Sequence, residues 1–121
     1  MANTNVITIT SETQLNGILA QNQNVVLDFY ANWCGPCKQL APVLDEISTG
    51  TTNVVICKIS VDDENVASLA TSRDIRSIPT LEYYQNNNKI HTTKGYLAKA
   101  QLLSEFSEKF GVDNYFLDHN D

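Results

Sequence analysis

The sequence predicts an α/β domain in which helices flank both faces of a central mixed five-stranded sheet. Three observations support this prediction. Apolar runs of strand length alternate with segments whose apolar residues recur at helical spacing. Residues 25–31 (VVLDFYA) are almost continuously apolar, which is typical of a strand covered by helices on both sides. The last two strand patterns lie close together around an asparagine-rich turn, which adds antiparallel strands to a parallel core.

The first half of the chain contains two strand–helix units. Residues 6–9 form a short strand pattern, and Thr10 or Ser11 can cap the helix that follows. Residues 25–31 form the second strand pattern. The helix after it has apolar residues at helical spacing, namely Leu40, Val43, Leu44 and Ile47. Pro42 lies inside that helix, where we expect a kink.

The second half contains a third strand–helix unit, a hairpin and a closing helix. Residues 54–61 predict the third strand, and a short helix follows. The inward-facing positions of that helix are Val66, Leu69 and Ala70. Residues 80–84 and 89–93 flank QNNN, and asparagine tolerates the left-handed backbone of tight hairpin turns. The last helix spans about residues 98–110, and Gly111 is its expected stop.

Size and charge narrow the possible functions. A chain of 121 residues is typical of one domain. Its net charge of −6 argues against nucleic-acid binding and against contact with anionic membranes. No apolar stretch approaches the ~20 residues of a membrane-spanning helix. The first ten residues, MANTNVITIT, lack a basic segment followed by an apolar core, so we expect no signal peptide and a cytoplasmic location.

A pair of cysteines marks the predicted functional site. Cys34 and Cys37 flank Gly35-Pro36 at the start of the second helix, a spacing that permits both a dithiol and a disulfide. Unpaired backbone N–H groups at a helix N-terminus favour an anion, so we expect Cys34 to react as a thiolate. Cys37 lies one turn further in and should be more shielded. Cys34 would attack a substrate disulfide, and Cys37 would then resolve the mixed disulfide.

Three other interpretations of the cysteines are open. The pair could be two structural core residues. It could bind zinc together with Cys57, His91 or His119, although none of these has the spacing of a second ligand pair. Cys57 lies in an apolar strand, where a buried structural thiol is the ordinary interpretation. Finally, the site could be a redox-silent groove that holds a partner without covalent chemistry.

Asp28 interrupts the apolar run that leads to the cysteines. A buried carboxyl must be neutral or paired, and burial raises its pKa, so Asp28 could take the proton from Cys37 as a general base. Lys58, in the neighbouring strand, is its candidate charge partner. Asp28 could instead be an inert hydrogen-bonded residue, and Lys58 an ordinary surface lysine whose amine reaches water.

A proline precedes the fourth strand within IRSIPT, residues 75–80. The ordinary interpretation of Ile78-Pro79 is a trans peptide bond at the start of a strand, although a cis bond is energetically accessible before proline. If this loop lies beside Cys34, its free backbone groups could pair with an extended substrate peptide.

With these motifs together, the chain resembles the thioredoxin family. The resemblance rests on DFYANWCGPCKQLAPVLDEI, on VDD after the third strand, on SIPT, and on Gly95 before the last helix. It spans residues 5 to about 110, and WCGPC is highly specific. The resemblance implies the thioredoxin fold, with residues 1–110 as the thioredoxin domain and residues 111–121 as a C-terminal extension of unknown role.

The resemblance also implies a function and a set of roles. It implies a thiol–disulfide oxidoreductase that reduces protein disulfides, carries no bound cofactor or metal, and receives electrons from NADPH through a thioredoxin reductase; we expect a monomer. Cys34 would attack, Cys37 would resolve, and Asp28 with Lys58 beside it would be the buried acid–base group. Pro79 would be a cis-proline that faces the disulfide. The substrate-docking surface would comprise Trp33, Gly35, Pro36, Ile78, Pro79 and Gly95.

The chain departs from the family pattern around this surface. Ser77 replaces a frequent glycine in the proline loop, and Lys94 and Tyr96 flank Gly95 where many members are small or apolar. These departures leave the substrate preference open.

Overall fold

A computed structural model describes residues 4–51 and 53–112 of the chain. Within them, strands and helices alternate as the sequence predicts, and the last two strands form a hairpin. The elements are β1 (Ile7–Thr8), α1 (Glu12–Gln21), β2 (Asn24–Tyr30), α2 (Gly35–Gly50), β3 (Val55–Ser60), α3 (Ala67–Ser72), β4 (Thr80–Gln85), β5 (Asn88–Lys94) and α4 (Lys99–Phe110).

The five strands form one mixed sheet in the order β1-β3-β2-β4-β5. Strands β1 and β2 both run parallel to β3, whereas β4 is antiparallel to β2 and β5 is antiparallel to β4. The predicted combination of parallel crossovers and a closing antiparallel hairpin is therefore confirmed. Strand β2 occupies the centre of the sheet.

Helices cover both faces of the sheet, as the continuous apolar pattern of β2 predicts. One core cluster joins α2 and α4 to the sheet through Leu40, Leu44, Ile47, Leu102, Phe106 and Phe110. A second cluster joins α1 and α3 to the opposite face through Leu15, Leu19, Leu69 and Ala70. Because β2 lies between these layers, six of its seven residues are buried.

Local sequence features fix several element ends. Ser11 is the N-cap of α1, and its hydroxyl accepts a hydrogen bond from the backbone N–H of Gln14 at 3.1 Å. The hairpin turn places Asn86 and Asn87 at φ values of 53° and 67°, the left-handed region that asparagine tolerates. Gly111 adopts φ 70° at the end of α4, as a C-terminal helix stop requires.

The strand directions bring three loops to one edge of the sheet. The segments after β2 and β3 share an edge because these strands are parallel. The segment before β4 joins them because β4 is antiparallel to β2. The cysteine motif, the VDD segment and the proline loop are therefore neighbours in space.

Some sequence-based expectations concern residues outside the described part. They are the role of most of the C-terminal extension, residues 113–121, and the candidate zinc ligand His119.

We predict that Phe106→Ala lowers the free energy of unfolding by about 3–5 kcal/mol, because Phe106 is only 2% exposed and its removal leaves a cavity between α4 and the sheet. Urea denaturation measures this change. The exposed neighbour Ser104 is the control, and Ser104→Ala should shift stability by less than about 0.5 kcal/mol. Equal effects of the two substitutions would contradict the core assignment.

Candidate active site

The two cysteines form a disulfide at the first turn of α2. Their Cα atoms are 5.2 Å apart. Cys34 is the N-cap of the helix, and the backbone N–H of Cys37 donates a hydrogen bond to Cys34 Sγ at 3.2 Å. Pro36 lies in the first turn, where its missing N–H costs no helical hydrogen bond. The reduced sulfur of Cys34 would thus face the positive end of the helix dipole, which stabilises a thiolate.

Both cysteines are largely covered in this disulfide form. Cys34 is 6% exposed and Cys37 is 3% exposed, so the difference in shielding that the sequence suggests is small here. The pair packs against Tyr30, Val61 and Ile78. The Cys34 sulfur also lies close to the neighbouring loop, 3.8 Å from the carbonyl oxygen of Ile78.

The proline loop lies directly beside the disulfide. The Ile78-Pro79 bond is cis, as the resemblance implies, and the trans bond expected from the local sequence alone is wrong. The backbone N–H of Gly95 donates to the carbonyl oxygen of Pro79 at 2.9 Å. Gly95 has φ 89°, which side chains rarely permit, so glycine suits this contact. Cys34, Ile78, Pro79 and Gly95 are therefore neighbours, with Cys34 and Pro79 buried and Ile78 and Gly95 partly exposed.

Trp33 and a groove lie beside Ile78. Trp33 is 69% exposed, and its indole N–H donates to Asp62 Oδ2 at 2.7 Å. Beside it lies a groove of about 300 Å³. Its lining includes Trp33, Val61, Ala70, Ile75, Arg76 and Ile78. An apolar groove with a few polar groups at its rim is typical of ligand sites. Gly35 and Pro36 are exposed next to Trp33.

The contact with Asp62 was not anticipated from the sequence. Asp62 belongs to the VDD segment, which is one of the motifs of the family resemblance. That resemblance implied no contact between this segment and Trp33. The parallel pairing of β2 and β3 could have suggested it, because segments that follow parallel neighbours meet at one edge.

Asp28 is buried in the centre of β2. It is 4% exposed, and among the described residues its Oδ1 has no hydrogen-bond partner. Burial raises the pKa of Asp28 from 3.8 to about 7, and the nearby charge of Lys58 lowers it by a smaller amount. Near neutral pH this carboxyl is therefore poised to accept or to return a proton.

A small cavity connects Asp28 with Cys37. Its volume is about 40 Å³, which is room for a water molecule. The lining residues are Val6, Asp28, Tyr30, Cys37, Ala41, Leu44, Asp45 and Lys58. A proton could pass between the carboxyl and the Cys37 sulfur through this space.

Lys58 lies where the sequence places it, in register with Asp28 on the neighbouring strand. Its ammonium group lies 5.7 Å from the centroid of the Tyr30 ring, a cation–π contact. It lines the same small cavity as Asp28, and its charge lowers the pKa of that carboxyl.

The two zinc candidates within the described residues, Cys57 and His91, are not gathered around the pair. Cys57 is a free, buried cysteine in the α1–α3 core cluster, and burial raises its pKa to about 12, so its thiolate is scarce at neutral pH. His91 lies beside Thr93 and Glu105 on β5 and α4. In residues 4–51 and 53–112, no group of three His, Cys, Asp or Glu side chains could hold a metal ion.

Comparisons with known proteins agree with this geometry. The sequence model of the thioredoxin family matches residues 5–108. The chain belongs to the thioredoxin family. Thioredoxin 1 of Plasmodium falciparum is 36% identical over 104 residues, which cover 86% of this chain and 96% of that protein. A thioredoxin of Mycobacterium tuberculosis is 37% identical over 103 residues, covering 84% and 87%.

Solved thioredoxin structures share the fold. A structure of Plasmodium falciparum thioredoxin superimposes with a TM-score of 0.78 at 34% identity, covering 85% of this chain and 98% of that one. Family membership together with the Cys34–Cys37 disulfide makes the chain a thiol–disulfide oxidoreductase of the protein-disulfide reductase type. Thioredoxins generally act on protein disulfides, are reduced by a thioredoxin reductase and lack a bound cofactor. No helix of the described residues is long and apolar enough to cross a membrane.

We predict that Asp28→Asn stabilises the oxidised protein at pH 8 by about 4 kcal/mol, the equivalent of a pKa raised from 3.8 to about 7. Between these two pH values the folded state binds more protons than the unfolded chain, so wild-type stability falls as the pH rises from about 4 to about 7. The gain from Asn should therefore disappear near pH 4.

Urea denaturation at both pH values measures this gain. The exposed acid Glu64 provides the control, since Glu64→Gln should change stability little at either pH. The same Asp28→Asn gain at pH 4 and pH 8 would show that the carboxyl does not titrate as described.

Proposed function

We propose that this thioredoxin-family protein is a cytoplasmic electron carrier that reduces protein disulfides through Cys34 and Cys37. The observation that carries the proposal is the placement of Cys34 Sγ as the cap of α2, with the Cys37 N–H 3.2 Å away. A sulfur in that position is stabilised as the thiolate, which is the form that attacks disulfides. Its electrons come from NADPH through a thioredoxin reductase, without a cofactor bound to this chain.

The first step forms a mixed disulfide. The Cys34 thiolate attacks one sulfur of the client disulfide, and the other client sulfur leaves as a thiolate. The client docks on a surface with two sides. One side comprises Trp33, Gly35 and Pro36, and the other comprises Ile78, Pro79 and Gly95. The carbonyl of Ile78, 3.8 Å from the Cys34 sulfur, is available to an extended client strand.

The second step releases the client. The Asp28 carboxylate accepts the Cys37 proton through the 40 Å³ cavity. The charge of Lys58 stabilises the ionised form of Asp28 before this transfer. The Cys37 thiolate attacks Cys34 Sγ, and the client sulfur that was bonded to Cys34 leaves as a thiolate. Two electrons have then passed to the client, and the Cys34–Cys37 disulfide has formed.

We further propose the boundaries and state of the molecule. Residues 1–110 form the thioredoxin domain, and residues 111–121 are a C-terminal extension of unknown role. The end of α4 at Phe110 and the left-handed Gly111 after it support this division. The protein acts as a monomer. A cytoplasmic location agrees with a chain whose one cysteine outside the pair, Cys57, is a free thiol.

We predict that Cys34→Ser reduces insulin disulfides no faster than dithiothreitol alone. Cys37→Ser should instead form a stable one-to-one mixed disulfide with a client, because Cys34 can still attack but nothing resolves the adduct. Turbidity and non-reducing electrophoresis measure the two results. Cys57→Ala is the matched cysteine control and should turn over normally. Equal insulin reduction by wild type and Cys34→Ser would leave a redox-silent binding module as the better interpretation.

We also predict that Asp28→Asn slows decay of the mixed disulfide at pH 7 by about 10- to 100-fold, because Cys37 loses its proton acceptor. Formation of the mixed disulfide, which depends on Cys34, should keep its rate and serves as the internal control. At pH 9 solvent deprotonates Cys37 more readily, so the defect should shrink. Rapid-quench single-turnover measurements follow both steps. An unchanged decay rate at pH 7 would remove the general-base role.

A further inference from the structure

The basic side chains of the protein are unevenly paired. Five of the eight form ion pairs with carboxylates, namely Arg73, Arg76, Lys89, Lys99 and Lys109. Lys58 is in register with Asp28 and lies over the Tyr30 ring. Lys38 and Lys94 remain; both are exposed, and within residues 4–51 and 53–112 neither makes an ion pair or a side-chain hydrogen bond. In a chain with a net charge of −6, two uncompensated cations stand out.

Both lysines are chain neighbours of residues at the site, Lys38 of Cys37 and Lys94 of Gly95. Lys38 is in the first turn of α2, and its backbone N–H donates to the carbonyl oxygen of Cys34 at 3.1 Å. Lys94 ends β5 in register with Thr80, and the next residue, Gly95, donates to Pro79 at 2.9 Å. We call this pair of side chains, Lys38 and Lys94, the basic rim.

The Trp33 side of the same surface has the opposite charge. The Trp33 indole is bonded to Asp62, and the acidic residues Asp63 and Glu64 follow in the chain. Arg76 also borders the groove, but Asp74 Oδ1 lies 2.9 Å from its Nε and offsets its charge. An acidic segment thus adjoins Trp33, whereas the lysines next to Cys37 and Gly95 have no carboxylate partner among the described residues.

We propose that the basic rim makes this protein prefer client disulfides whose reacting cysteine has an acidic side chain within two residues of it in sequence. The inference rests on the proposed function, because it concerns the clients of the same disulfide. A client carboxylate at the basic rim would pair with lysines that form no ion pair within the described residues. Its attraction to them is therefore not offset by the loss of an existing ion pair. Exposed pairs of this kind are individually weak, so we expect a graded preference rather than strict selection.

Ionic strength separates the basic rim from the charge of the whole molecule. At about 0.1 M salt the Debye length is about 10 Å, so the distant acidic surface is largely screened while a client in contact still senses the two lysines. At about 1 M salt the length falls to about 3 Å, and the preference should nearly vanish.

The test uses three symmetric peptide disulfides in which the cysteine is flanked on both sides by Glu, Ala or Lys. Dithiothreitol regenerates the protein, which removes any effect on a reductase. The rate with dithiothreitol alone corrects each peptide for its intrinsic reactivity. Each kcat/KM is divided by that of the Ala-flanked peptide with the same variant, so that general losses of activity cancel.

At about 0.1 M salt we expect the Glu-flanked peptide to react about fivefold faster than the Ala-flanked one, and the Lys-flanked peptide to react more slowly. Lys94→Glu and Lys38→Glu should each reduce this ratio, and the double variant should invert it. Lys109→Glu is the control, because it makes the same change in net charge. Lys109 precedes Phe110, which contacts Gln85 at the opposite end of the sheet. This variant should keep the wild-type ratio.

Equal rates for the three peptides, or an equal loss of preference in Lys109→Glu and Lys94→Glu, would overturn the charge preference alone. Failure of wild type to reduce even the Ala-flanked peptide would instead overturn the proposed reductase function, and this inference with it.

Discussion

The site depends on holding one sulfur atom where a helix begins. Cys34 Sγ occupies the place of a capping oxygen and accepts the Cys37 N–H, so β2 must end and α2 must start within one short turn. Strand β2 is central, with β3 on one side and β4 on the other, and both neighbours deliver loops to the same edge. The surroundings of the sulfur therefore come from three segments that are far apart in sequence.

The strand that delivers this sulfur also contains a costly carboxyl. Burial opposes the charged form of Asp28 more strongly than Lys58 favours it, and the balance leaves the pKa at about 7. A more exposed carboxyl would keep its ordinary pKa and would be a weak base near neutral pH. A carboxyl in a tight ion pair would be weaker still. The stability that the folded state gives up above pH 4 is thus the same quantity that, in the proposed mechanism, lets Asp28 act as a base toward Cys37.

Most of the fold could be predicted from the sequence because local patterns determine it. Apolar periodicity located the strands and helices, and the asparagines of the hairpin turn adopt the left-handed backbone their chemistry allows. The cysteine spacing and the buried position of Asp28 also follow from short stretches of chain. The cis bond before Pro79 and the bond between Trp33 and Asp62 do not, because each depends on which loops meet at the sheet edge.

The cavity beside Asp28 shows why the strength of this base is a property of tertiary packing. Val6, which precedes β1, forms part of the cavity wall. The chain around it is fastened to α2, since the Thr4 hydroxyl donates to Asp45 at 2.7 Å and the Asn5 N–H donates to Ser48 Oγ at 2.9 Å. Each such bond contributes only about 0.5–1.5 kcal/mol. Burial is the largest cause of the raised pKa, so the proton affinity of Asp28 depends on wall residues such as Val6 that come from outside its own strand.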